Sequence, residues 1–364
     1  MKRLISILAP GLLLWLGCGL GPDEKPKPEI AFVGPVELEI LGELAPDAPV
    51  VATLRHGDRV EIIGRKRRFA RIRAAEGVEG WTDGRLLLTP AAMARLERQG
   101  RIAARLPSQG KATVYDTLNV HTEPNRQAPS FYQLDEGILA DVTAHRVAPR
   151  GPYLPPQTET PALPLNSYGP PDEAIEGPAD DWTLVRLENG RAGWVLSRML
   201  VMAVPDEVAQ YAGGRRITAY ASLGRVRDGE TWKHHWVWTT ISAPRQPFQF
   251  DGFRVFVWST RRHRYETAYR ERNLVGYYPL QVQAKQGEGG RKRVTFSLVV
   301  REGDGALYRR VYAFSGYRVR LVEKARWRPP GPEDDEAGYV RLPPAEEPSK
   351  FERLITRIAD MLGL

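Results

Sequence analysis

Apolar and polar positions alternate along most of this chain in short runs, cut by Gly, Asp and Pro. "HGDRVEII" (56–63), "FARIRA" (69–74), "DEGILADVT" (135–143) and "WTLVRL" (182–187) follow a period of two. That is the spacing of strands with one face buried. From about Ile217 the runs lengthen. "HHWVWTTI", "FRVFVWST", "HRYETAYRE", "GYYPLQVQA", "RVTFSLVVRE", "LYRRVYAFS" and "YRVRLVEK" are divided by hairpin-type stretches such as "QGEGGRK", "EGDGA" and "SG". They predict a meandering antiparallel sheet of about seven or eight strands, forming a sandwich or barrel over 208–328. The strands around Val255 and Val299 are apolar on both faces and belong at its centre. Helical spacing occurs twice. In "TPAAMARLERQG", Thr89 is placed to cap and Pro90 to open a helix that carries Met93 and Leu96 and runs to about Gln99. In "SKFERLITRIADMLGL", Ser349 and Glu352 make a capping box, and Phe351, Leu354, Ile355, Ile358 and Leu362 share one face. That helix, after an acidic linker within 329–364, would dock on the protein's own body, on a partner or on a membrane. The expected class is mainly β, with few helices.

One phrase is written twice. "EGWTDGRLL" (79–87) and "AGWVLSRML" (192–200) each carry a Gly-Trp pair, with an Arg four residues after the Trp and a Leu six after. Aligning them brings two small predicted barrels into register, 35–88 and 111–204, joined by a helical linker at 89–110. The glycine permits a close backbone approach, the tryptophan is read as core, covering a barrel end, and Leu87 or Leu200 returns the chain to the core. Residues 147–179, crowded with prolines in "RGPYLPPQTETPALPLNSYGPP", have no periodicity and read as an insertion in the second barrel. "TLNVHTEPN" (117–125), "ATLRHGDRVEII" (52–63) and the closing Gly193-Trp194 together resemble the bacterial SH3 (SH3b) family, over roughly 35–88 and 111–202. In the first copy "LEILGEL" stands where the opening phrase would be. The resemblance implies small SH3-like barrels that bind cell-wall peptides or serve as assembly modules, without catalysis. It makes Tyr115, Asn119, Phe131 and Tyr132 candidate ligand contacts, near loops that flank the groove in that family.

The opening "MKRLISILAPGLLLWLGC" has a basic start and an apolar run shorter than the ~20 residues of a membrane-spanning helix. It resembles a bacterial lipoprotein signal over 1–18, which implies cleavage before Cys18 and lipid on its sulfur. An ordinary secretory signal with an incidental cysteine is the alternative. Residues 19–34, polar and Pro-rich, read as a tether. The expected place is the cell envelope, outside the cytoplasm and lipid-anchored, with inner or outer membrane left open.

The net charge of +8 is uneven: 208–328 hold 24 Lys/Arg against 9 Asp/Glu, and 329–364 hold 4 against 8. A basic β-domain favours an anionic partner, with Arg262, Arg264 and Arg270 as candidate contacts. Arginines facing lipid exclude an outer-membrane barrel. His234 and His235 are neighbours on a strand, face opposite sides and predict no metal site. Asp228, Glu230, Asp251, Glu266 and Glu271 form no acid-base pair, there is no Gly-rich phosphate loop, and the lone thiol is Cys18. The expectation is a lipid-anchored envelope-binding protein with no catalytic residues, cofactor or metal. Its partners would be the membrane through the anchor and peptidoglycan or other envelope proteins, but no nucleic acid. The alternatives are an assembly or scaffold lipoprotein and, third, a wall hydrolase with its site in the β-domain.

Overall fold

A computed structural model of the chain describes residues 29–155, 177–187, 190–286 and 292–328. The described residues form three antiparallel sheets of seven strands each, so the protein is mainly β. Cys18, the signal, the first part of the tether, most of the proline-rich insertion and the C-terminal helix lie outside the described residues. The first sheet contains β1 (Glu29–Val33), β2 (Glu37–Leu41), β3 (Val50–Arg55), β4 (Arg59–Lys66), β5 (Phe69–Arg73), β6 (Glu79–Asp83) and β7 (Leu87–Leu88). The second contains β8 (Lys111–Val114), β9 (Leu118–His121), β10 (Ser130–Leu134), β11 (Leu139–Pro149), β12 (Ala179–Arg186), β13 (Ala192–Leu196) and β14 (Leu200–Met202). Their strand orders are β3-β2-β6-β5-β4-β1-β7 and β10-β9-β13-β12-β11-β8-β14, one topology used twice.

The Gly-Trp phrase holds the same place in both sheets, on β6 and β13. There the strand crosses to β2 or β9, pairing Leu41 with Trp81 and His121 with Trp194. A Cβ on Gly80 would lie 2.4 Å from Ile40 Cγ2 and 2.7 Å from Leu41 O. Only glycine fits so close a crossing. The tryptophans do not cover a barrel end. Gly193 and Val195 face the sheet's own core, so alternation turns Trp194 outward, onto the helix and the third sheet. Trp81 points to the matching side of the first sheet and is half-buried.

Three boundaries differ from the sequence reading. The tether expected over 19–34 ends before Glu29, because Ile30, Phe32 and their neighbours pair with β4 as β1. The insertion expected over 147–179 is shorter, since Val147, Ala148 and Pro149 pair with Asp181, Asp180 and Ala179. The linker helix α1 (Pro90–Arg105) does not stop near Gln99. Gly100 is no terminator: a Cβ there would stand 2.7 Å from Gly190 O, so the glycine lets the helix lie against the turn before β13. Ile102, Ala103 and Leu106 beyond it are buried. Thr89 caps the helix as expected, its hydroxyl accepting from Ala92 N.

The third sheet follows the short helix α2 (Asp206–Ala209) and runs in chain order: β15 (Arg216–Asp228), β16 (Thr231–Ile241), β17 (Phe250–Ser259), β18 (Arg264–Gln286), β19 (Lys292–Arg301), β20 (Leu307–Ser315) and β21 (Arg318–Arg326). The segments "HRYETAYRE" and "GYYPLQVQA" are one long strand, not two. β18 pairs with β17 through its first half and with β19 through its second. The sheet folds over on itself there, so Tyr278 Oη on β18 donates to Thr218 O on β15 at 2.5 Å. The central strands β17 and β19 bury Val255 and Val299.

β12 feeds two cores through its two faces. Val185 faces the core of the second sheet, whereas Trp182 and Leu184 join Phe250, Phe253, Val255 and Leu298 of the third sheet. The second and third sheets therefore share apolar interior.

Candidate functional site

The connection between β9 and β10 is a tight turn, because Asn125 Oδ1 accepts from Gln127 N at 2.8 Å and Asn125 O from Ala128 N at 3.1 Å. Its tip is tied to the chain leaving β11: Asn125 Nδ2 donates to Gly151 O at 3.2 Å, and Gln127 Oε1 accepts from Tyr153 N at 3.4 Å. Between these segments opens a cleft of about 340 Å³, lined also by Asp180 and Trp182 on β12. Pairing of β11 with β12 brings Arg150 beside Asp180, and the turn supplies Arg126 from the opposite wall.

Both guanidiniums hold the same carboxylate. Arg126 grips it with two hydrogen bonds of 2.8 Å, and Arg150 Nε donates at 3.0 Å. The arginine side chains remain 43% and 46% exposed, while Asp180 is buried. Burial pushes the Asp180 carboxyl up, but the hydrogen bonds from Arg126 and Arg150 outweigh it and hold the group below its ordinary range. One negative charge faces two positive ones, which leaves unspent donors and net positive potential in the cleft. Behind the turn, Glu123 meets Arg95 of α1 at 2.9 Å with both side chains buried. Burial raises the Glu123 carboxyl against the pull of Arg95 and Arg146. That pair fixes the turn to the helix. The lining of guanidiniums, amides and a paired carboxylate is equipped to hold a polar chain with a negative group.

The ligand contacts expected from the sequence are not brought together here. Tyr115 is 70% exposed before β9, and Asn119 is exposed on β9 itself. Tyr132 is half-buried beneath the Arg191 guanidinium, 5.0 Å from the ring centre. Phe131 is 0% exposed and packs in the second sheet's core, where a Cβ on Gly193 would touch its ring at 2.7 Å. It cannot line an open groove, because alternation on β10 turns it inward. The residues the sequence reading missed are Asn125, Arg126, Arg150 and Asp180. Their signal was present: an insertion within a hairpin brings its two ends side by side, which places Arg150 against Asp180.

In the third sheet, Arg262 and Arg264 both face Glu266, at 2.8 and 3.7 Å, while Arg270 lies opposite Arg254. His234 and His235 diverge as expected of strand neighbours. His234 Nδ1 meets Ser222 Oγ at 2.7 Å, and His235 Nδ1 accepts from Trp258 N at 3.1 Å. Among the described residues no three His, Cys, Asp or Glu side chains are grouped to hold a metal ion. No helix among them is long and apolar enough to cross a membrane.

No family model and no curated protein matches the chain. Among solved structures, NlpC2 from Trichomonas vaginalis is similar at 12% identity over 82% of this chain and 96% of that one, with a TM-score of 0.15. NlpC1 from the same organism is similar at 13% identity over 88% and 99%, with a TM-score of 0.16. Likeness at that level defines neither fold nor activity.

Proposed function

We propose that this protein is a lipid-anchored binding protein of the cell envelope, whose second sheet holds a negatively charged segment of cell-wall peptide in the cleft above Asp180 and Trp182. The observation that carries the reading is the half-exposed Arg126–Arg150 pair sharing one carboxylate. An incoming carboxylate meets guanidinium donors already aimed and held by Asp180, so little side-chain freedom is lost on binding. The lipoprotein-like opening and the SH3b-like phrases support the location and the class of ligand. The repeated sheet and α1 act as a stem between the anchor and the binding unit. The anchor leaves Cys18 acylated at the mature N-terminus, which mass spectrometry reads directly.

Full-length protein incubated with purified cell-wall sacculi should co-sediment at low and moderate salt. Replacing Arg126 and Arg150 together by Ala should weaken retention about tenfold, the scale of one lost charge-assisted contact. Absence from the pellet at both salts overturns the reading. Discrete protein cross-links in cells, in place of wall material, would assign the cleft to envelope assembly.

A further inference from the structure

Arg254 on β17 and Arg270 on β18 stand directly opposite each other in the ladder, and Arg272 follows opposite Gly252. Alternation puts all three guanidiniums on one face of the third sheet. Like charges placed opposite one another destabilise a sheet, and here the two strands set three side by side. Asp251 on β17 is already taken by Arg215 at 2.8 Å and by Ser242. Glu271 points to the other face, where Arg310 holds it at 2.6 Å. Arg270 and Arg272 are exposed and carry no ion pair among the described residues. Arg254 is fixed from behind: its Nη1 donates to Tyr211 O at 3.3 Å and its guanidinium lies 5.4 Å from the Phe256 ring centre. Burial first, then Arg270 and Arg272, bring the Arg254 guanidinium below its usual range, as an unneutralised cluster would.

We infer that Arg254, Arg270 and Arg272 form a binding site for a phosphate group. Three adjacent guanidiniums present more forks and more positive charge than one carboxylate can use, whereas a terminal phosphate offers three acceptor oxygens and more than one negative charge. The site lies on a different sheet from the cleft and stands independently of it. The phosphate is a terminal one, either that of a phosphatidic-acid headgroup or that of a soluble or polymer-borne monoester, and the chemistry of recognition is the same.

The full chain carrying Cys18→Ser, which removes the acylation site, is titrated with inorganic phosphate by calorimetry at low salt. The same chain is sedimented with vesicles of phosphatidylcholine alone and of equimolar phosphatidylcholine and phosphatidic acid. Binding of phosphate with retention on the anionic vesicles supports the site with a headgroup as source. Binding of phosphate without vesicle retention supports it with a soluble or polymeric source. Arg270→Gln and Arg272→Gln, both at exposed positions, should each weaken phosphate binding about tenfold. They should raise the melting midpoint without phosphate, because repulsion is relieved, and shrink the upward shift that phosphate produces. Sacculus retention through the cleft stays as in the parent chain, so loss of one activity is distinguishable from loss of the other. No phosphate binding at low salt, or binding unchanged in both variants, overturns the inference.

Discussion

At Gly193 the β13 backbone passes so near β9 that a Cβ would sit 2.3 Å from Val120 Cγ1, with the Phe131 ring at 2.7 Å on the other side. Gly80 meets Ile40 in the same way. Neither glycine has a positive φ, so the demand is for space and not for backbone conformation. Gly193→Ala should therefore lower stability by about 1–3 kcal/mol, the usual cost of overpacking a filled core. Urea unfolding of the variant measures it, and a midpoint unchanged from the parent would show that β9 yields freely. The close approach was legible in the sequence because the phrase is doubled. Trp194 is core as expected, but belongs to a different core from the expected barrel end, for a physical reason: alternation reveals which side of a strand a residue takes, but not which of two cores lies on that side. Phe131 failed as a ligand contact on the same ground. An aromatic near a loop looks available until its strand register is known.

Elements were legible where their period was unbroken. Thr89, Pro90 and the apolar spacing fix the start of α1, but its end, expected near Gln99, lies at Arg105, because a glycine that permits contact, as Gly100 does, and one that ends a helix look alike in sequence. β18 read as two strands because a strand that changes partners at a bend resembles a hairpin. β11 and β12 pair as alternation suggests, and their contact with the third sheet brings a titratable group inside. His145 of β11 is buried and meets Asp181 of β12 at 3.2 Å, and Asp181 accepts from Arg245 N at the entrance to β17. Burial lowers the His145 pKa below 6.5, outweighing the opposing pull of Asp181, and Arg216 adds to the lowering. The unfolded chain takes up a proton near pH 6.5 that the folded one refuses. The native state is therefore unaffected by this group above that value, and loses stability as pH falls below it. The urea midpoint should fall between about pH 8 and pH 5 in the parent chain, and fall less in His145→Gln, whose amide still donates to Asp181. Equal slopes in the two proteins would remove His145 from the account.

Gln109 ties two sheets of the molecule into one. Its side chain is fully buried, its N–H donates to Val142 O at 2.7 Å, and its carbonyl accepts from Tyr220 N at 2.9 Å. Its side-chain oxygen accepts from Leu280 N at 2.8 Å, far along the chain on β18. None of this could be read from "LPSQGKAT", because the partners are set by how the third sheet folds over, which local periodicity does not encode. The positions of the strands were legible for the converse reason, since each depends on its neighbours alone. Modules joined by a linker would unfold separately. Here Trp182 and Trp194 lie in the same apolar cluster as Phe250 and Leu298, so opening one sheet exposes the interior of the other. Gln109→Leu keeps the backbone links and leaves the Leu280 N–H without its acceptor, which should cost about 1–3 kcal/mol. If the second and third sheets form one cooperative unit, hydrogen exchange at β12 and at β17 should give the same opening free energy. Both values should then drop together, by that same amount, in Gln109→Leu. A drop confined to the third sheet would mean that the shared interior does not couple them, and that the cleft beside Asp180 rides on a separable module.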